Sequence, residues 1–221
     1  MRDDWFTVVD LHWGLTPQTF VFGLHADEVM ARLRPVSLAG AQVDTLSPAD
    51  LVLYQAMHGA KHLWRRLEWI SSMAELIRTL DESAWSSVVE RAVKARAIRI
   101  LGLALRLGEV LFEIKAPAEV LGQVDNDGSM RTFASSISQG LFEAPVTTAD
   151  STETNLYNLK IMDRKRDALV SVMRAIFVPT ISDWQAVTIP ASLHPLYYGF
   201  RPLRLSTVYG KSLWRKLIHR P

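Results

Sequence analysis

The chain has 221 residues, 48% hydrophobic and 22% charged, with 25 Lys and Arg against 23 Asp and Glu. That composition suits a globular protein large enough to bury a sizeable core, and it excludes a molecule that is strongly polyanionic or polycationic as a whole. The chain contains no cysteine, which excludes disulfides and thiolate metal sites and permits a reducing compartment. The opening MRDDWF has no apolar signal core, and no stretch approaches the ~20 uninterrupted apolar residues of a membrane span. A cytoplasmic protein is the simplest expectation.

Residues 1–46 read as strands and turns. "WFTVVDLHW" is rich in β-formers, "TFVFGLH" follows a Thr-Pro turn, and "PVSLAGAQVDTL" forms a short hairpin around Ala39-Gly40. A short helix from Asp27 to Leu33 lies between them. In the first strand Val9, Leu11 and Trp13 share one face, while Val8, Asp10 and His12 share the other. A carboxylate and an imidazole two residues apart therefore point the same way, as a metal or active-site edge would require.

At "SPADLVLYQAMHGAKH" the pattern becomes helical, with Ser47 as N-cap, Pro48 at the first helical position and Asp50 in the first turn. Gly59 leaves one kinked helix or two helices open. "LWRRLEWISSMAELIRTL" is amphipathic, with Leu63, Leu67, Ile70, Ala74 and Ile77 three or four apart. Ser83 is expected to cap the next run, which breaks near Lys94 to Ala97. Shorter helical pieces follow over 116–145, then a polar loop, then a helix from about Asn155 to Ile176.

The tail carries Pro179, Pro190, Pro195 and Pro202 among many aromatics. An interior proline costs a helix ~3 kcal/mol, so an extended strap anchored by Trp184, Leu193, Tyr197 and Tyr198 is expected. From Arg201 onward the chain has basic residues and no acidic one. Such a tail suits phosphate, nucleic acid or anionic lipid, although a solvated terminus is the ordinary outcome. The fold class is α+β: a small, mainly antiparallel N-terminal sheet (1–46), a helical region (47–145), and a long helix with an extended basic tail (146–221).

"HGAKHLWRRLEW" is the densest polar cluster. If the helix continues through Gly59, His58, His62, Arg65 and Trp69 share one stripe, with Lys61 beside it. Two histidines at i and i+4 can ligate a metal, but Lys, His and Arg together suit phosphate better than zinc. "DNDG" at 125–128 begins like a calcium loop but has no Glu at the twelfth position, so it reads as a turn. No glycine-rich phosphate loop or nucleophile elbow is present.

Three phrases in order, "VVDLHWGL", "LSPADLVLYQAMHGAKHLWRRLEWISSMAELI" and "ISDWQAVTIPASLHPLYYGFRPLRL", resemble the uncharacterised nucleotidyltransferase family found in bacteria. The resemblance implies a polymerase-β-like nucleotidyltransferase, in which a D-x-D strand after a Gly-Ser turn and a third carboxylate hold two divalent ions. A nucleoside triphosphate is then attacked in line by an acceptor hydroxyl. On that resemblance Asp10 is the third carboxylate and a Mg2+ ligand, and His12 orients the acceptor or a phosphate. His58, Lys61, His62 and Arg66 face the triphosphate or acceptor.

Two departures accompany the resemblance. The Gly-Ser turn and D-x-D strand are missing, and Ser72 stands where the family favours Asp. The expectation is a truncated and weak or inactive transferase, with a separate N-terminal chain or a homo-oligomer as possible complement. The rival is a non-catalytic helical module that holds a partner through its sheet edge or basic tail.

Overall fold

In a computed structural model of the chain, Leu15 and residues 22–126, 128–143, 157 and 159–218 are described. The expected first strand, with Asp10 and His12, lies outside the described residues. The chain divides into two compact units, one running through Phe22–Asp163 and the other beginning at Arg164.

Unit one starts with a short helix α1 (Ala26–Met30) and a hairpin, β1 (Arg34–Leu38) and β2 (Ala41–Thr45), paired antiparallel with Val36 opposite Val43. The two turn residues, Ala39 (φ 49°) and Gly40 (φ 83°), are both left-handed, the backbone a two-residue turn needs to match strand twist. The expected hairpin is therefore present. Both strands are exposed apart from half-buried Thr45, so the sheet stands beside the core. Phe22 to His25, the described end of the expected second strand, are irregular.

α2 (Pro48–Lys61) begins at the Ser47-Pro48 signal, with the Asp50 N–H donating to Ser47 Oγ at 3.4 Å. α3 (Leu67–Arg78) buries Ile70, Ala74 and Ile77 of the expected stripe together with Met73, whereas Leu67, at its first turn, is exposed. α4 (Glu82–Ala95) is capped by Asp81, whose carboxylate accepts the Ala84 N–H at 2.8 Å. Ser83, the expected cap, donates its hydroxyl to that carboxylate at 2.7 Å. The acid takes the position because its charge also complements the helix dipole.

The expected break near residues 94–97 is a left-handed Arg96 (φ 56°), after which α5 (Ile98–Phe112) runs through the centre of the unit. Ile100 to Gly108 are buried without interruption, and α5 packs against α2, α3 and α7 (Ser129–Glu143). At about 1.5–3 kcal/mol for each buried leucine or isoleucine, this helix is the main apolar contribution to the unit. α6 (Ala118–Val124) lies beside it.

"DNDG" is a turn, as expected, and its first acid works structurally. Asp125 accepts the N–H groups of Met130 (2.8 Å) and Arg131 (3.1 Å) at the start of α7, and Arg106 Nε at 2.8 Å. The helix expected from Asn155 to Ile176 does not run through. It is interrupted where the Asp163 carboxylate accepts the N–H groups of Ile98 (3.0 Å) and Arg99 (2.8 Å). Asp163 thereby caps α5, whose own N-cap, Ala97, has no side chain able to do so.

Unit two comprises α8 (Lys165–Phe177), α9 (Ile181–Ala186), a 3-10 segment (Ala191–Leu196) and α10 (Tyr197–Ile218). The expected extended strap is mostly helical, and the extended backbone is confined to short connections. Pro179 and Pro190 fall before helical segments, where a fixed φ is tolerated, but Pro202 lies inside α10. The residues flanking it are pinned instead. Asp183, fully buried, accepts Arg201 Nη1 at 2.5 Å, Arg204 Nε at 2.6 Å and the Thr180 N–H at 2.7 Å. Arg201 also donates to the Ala175 carbonyl, and the Tyr197 hydroxyl donates to the Val187 carbonyl at 2.6 Å. These contacts hold α8, α9 and α10 together.

Candidate functional site

α2 places Tyr54 and His58 one turn apart, and His62 follows as the residue that ends the helix. The helix closes after Lys61 in a Schellman motif: the Trp64 N–H donates to the Gly59 carbonyl (2.8 Å) and the Leu63 N–H to the Ala60 carbonyl (3.0 Å). Leu63 (φ 59°) and Trp64 (φ 52°) are both left-handed, a conformation that disfavours bulky residues and accompanies functional corners. Full burial of Trp64 offsets that strain. Gly59 makes the burial possible, because a Cβ there would lie 2.3 Å from the indole. Behind the corner the Tyr157 hydroxyl and the Trp64 indole N–H are buried close together without a well-formed hydrogen bond. Burial pushes the Tyr157 phenol well above its ordinary range, only partly opposed by the indole N–H.

The stripe His58–His62–Arg65–Trp69 is therefore not a single helical face. The corner returns the chain into α3, which brings Trp69 back to the histidines. The His58 and His62 rings are 4.8 Å apart by centroid, His62 and Trp69 4.9 Å, and His58 and Trp69 5.7 Å, edge to face. Tyr54 extends the cluster, 6.2 Å from His58. The Arg66 guanidinium lies 5.7 Å from the centre of the Trp69 ring and forks onto Glu68, with both contacts at 3.1 Å. His58, His62 and Trp69 are half-buried, whereas Lys61 and Arg66 are exposed at the rim.

Burial lowers the His62 pKa below its ordinary value, and the positive fields of His58 and Lys61 lower it further. His62 is thus a neutral imidazole near neutral pH, able to donate one hydrogen bond and accept another.

The structure thus brings together His58, His62 and, through Trp69, Arg66, and it sets Lys61 within electrostatic reach of His62. Asp10 and His12 lie outside the described residues. Among the described residues no group of three or more His, Asp or Glu is placed to hold a metal ion. Imidazoles, an indole and two cations are also a poor donor set for Mg2+, which prefers oxygen. The corner does not fit Mg2+; it offers ring faces and positive charge.

Sequence reasoning missed a second polar assembly in the same unit. Asp50, expected only as a first-turn acid, is completely buried. It accepts Arg32 through Nε and Nη2 (both 3.0 Å), Arg91 Nη1 (2.8 Å) and the Ser47 hydroxyl (2.6 Å). Burial raises its pKa, but these donors outweigh burial and hold the carboxyl below its ordinary value. It floors a cleft of about 240 Å³ whose rim carries Glu28 and Lys94, paired at 2.8 Å. Every identified charge of this cluster is paired, which suits the role of joining α1, α2 and α4.

The corner lies in the segment that makes the protein nucleotidyltransferase-like, since residues 3–113 match a family described as an uncharacterised nucleotidyltransferase. The chain belongs to that family. The match includes the segment with Asp10 and the whole of α2 and α3, and it ends before the proline-aromatic tail. Comparison with curated proteins and with solved structures returned no significant match. No helix among the described residues is long and apolar enough to cross a membrane.

Proposed function

We infer that this chain acts in the cytoplasm in nucleotidyl transfer, binding the nucleoside triphosphate donor at the corner between α2 and α3. The observation that carries the reading is the convergence of His58, His62, Trp69 and Arg66 inside the family-matched segment. Trp69 offers a face on which a base can stack. Lys61 and Arg66 supply charge for phosphate oxygens, Arg66 by exchanging its exposed Glu68 partner for a more highly charged one. Neutral His62 donates a hydrogen bond without requiring a counter-ion.

In this reading Asp10 is the carboxylate that holds Mg2+, and His12 orients the acceptor hydroxyl. Two-ion transfer needs several carboxylates around the ions. Asp10 is the single one assigned, so the chain by itself binds the donor and transfers slowly.

The test has two arms. Nucleotide binding is followed by isothermal titration of each nucleoside triphosphate into wild type and Lys61→Ala/Arg66→Ala. Losing two phosphate contacts should weaken affinity roughly tenfold or more. Transfer is followed with labelled triphosphate, Mg2+ and a cell extract as acceptor source, in wild type and Asp10→Ala. Nucleotide binding with little labelling is expected. Absence of nucleotide binding overturns the donor site, and robust labelling that Asp10→Ala abolishes overturns the slow-transfer reading. Because acid charges His62, whose pKa lies below the ordinary imidazole value, donor affinity should rise as the pH falls below that ordinary value. In His62→Gln that rise should be lost.

A further inference from the structure

The family-matched segment ends at residue 113, and unit two carries a surface that the transfer reading does not use. Among its described residues the buried side chains are Asp167, Asp183, Tyr197 and Arg201, while several large apolar side chains remain outside. Ile181 is 72% exposed, Trp184 56%, Leu196 58% and Leu203 68%. They lie on three successive segments, α9, the 3-10 segment and α10. Trp184 stacks on His194 with centroids 6.1 Å apart, which sets α9 beside the 3-10 segment that ends at Leu196, and Leu203 lies in the second turn of the α10 helix that follows directly. Isolated exposed apolar residues are ordinary, but four large ones on three successive segments of one unit point to an interaction surface.

Charge indicates what covers it. From Gln185 to Pro221 there is no acidic residue, against six basic ones: Arg201, Arg204, Lys211, Arg215, Lys216 and Arg220. Asp183 holds Arg201 and Arg204, and the other four follow in the sequence with no acid in their own stretch. We propose that unit two docks on an anionic lipid bilayer surface, with Trp184, Leu196 and Leu203 entering the interface and the basic end of α10 meeting the headgroups.

A bilayer satisfies both halves of the observation. Indole and phenol rings settle at the headgroup level, aliphatic side chains reach the acyl boundary, and Lys and Arg gain from anionic lipid. A nucleic acid would match the cations and the rings but offers nothing to Ile181, Leu196 and Leu203.

The experiment is sedimentation of the full chain with phosphatidylcholine vesicles, with and without phosphatidylglycerol, at low and physiological salt. Wild type is compared with Trp184→Ser/Leu203→Ser and with Lys211→Glu/Lys216→Glu. Wild type should co-sediment with the anionic vesicles, more strongly at low salt, and bind neutral vesicles at least about tenfold more weakly. Each double variant should lose roughly tenfold in affinity for anionic vesicles while keeping its far-ultraviolet circular dichroism. Wild type left in the supernatant, equal binding to both vesicles, or binding that neither variant weakens overturns the proposal. It is also overturned if Trp184→Ser/Leu203→Ser unfolds the unit or dissolves a dimer, because the face is then covered by protein. Displacement of the vesicles by single-stranded RNA assigns the surface to nucleic acid and overturns it as well.

Discussion

Each unit buries an aspartate between two arginines, and the two aspartates have different company. In unit one Asp50 lies under Arg32 and Arg91 beside a deep apolar core centred on α5. In unit two Asp183 lies under Arg201 and Arg204, and among the described residues the other side chains buried there are Asp167 and Tyr197. An ion-pair cluster supplies direction and register, but burying charges costs desolvation that their attraction only repays when the geometry is good. Unit one can use its cluster as a clasp between elements already held by apolar burial. Unit two relies more on its cluster, and several of its described large apolar side chains face outward.

The largest effect expected is from Asp183→Asn. Removing one partner of a buried pair costs about 3–5 kcal/mol. The described residues of unit two have little apolar burial to absorb that loss, so limited proteolysis should cut within 164–207 while unit one stays protected. Asp50→Asn should lower the urea midpoint by a similar free energy yet leave unit one folded, because the core persists. Equal resistance to proteolysis in the two variants would erase the distinction.

Acid tests the same contrast. Burial pushes the Asp183 carboxyl up, but the Thr180 N–H and hydroxyl, Arg201 and Arg204 outweigh it and hold the carboxyl below its ordinary range. A depressed folded pKa stabilises above the unfolded value, near 3.9, and that stabilisation fades as the pH falls toward the folded pKa. Hydrogen exchange in unit two should therefore accelerate below about pH 4, before the amides of α5 respond.

Glycine substitutions give the smaller effects. Gly59→Ala drives a methyl into the Trp64 ring, and overpacking of this kind costs about 1–3 kcal/mol, more than the helix propensity alanine regains. Gly199→Ala, in α10, meets nothing within 4 Å and should stabilise unit two by about 0.5–1 kcal/mol. Thermal melts that move in the same direction for both would contradict the packing described.

Local chemistry was legible in the sequence and long-range pairing was not. Ser47-Pro48 started α2, Ala39-Gly40 made the turn, and the apolar spacing of α3 identified its buried face. The end of α2 was hidden because the left-handed position fell on Leu63, while the glycine sits four residues earlier to make room for a ring. Pro202 was misread as a helix breaker because Asp183, 18 residues from Arg201, holds the backbone on both sides of it. The His58–His62–Trp69 grouping was found by assuming a continuous helix, and a corner produces it instead. The burial of Asp50 left no local trace, since Arg32 lies 18 residues away and Arg91 comes from α4.

The seating of Trp64 on Gly59 has a consequence for inheritance. The two positions share one volume, so neither can drift alone: a methyl at 59 is tolerated only if the ring at 64 shrinks, and a smaller ring over glycine leaves a void. Gly59→Ala combined with Trp64→Phe should therefore be less damaging than the sum of the two single changes. Descendants of this chain are expected to keep the glycine and the tryptophan together or to lose them together.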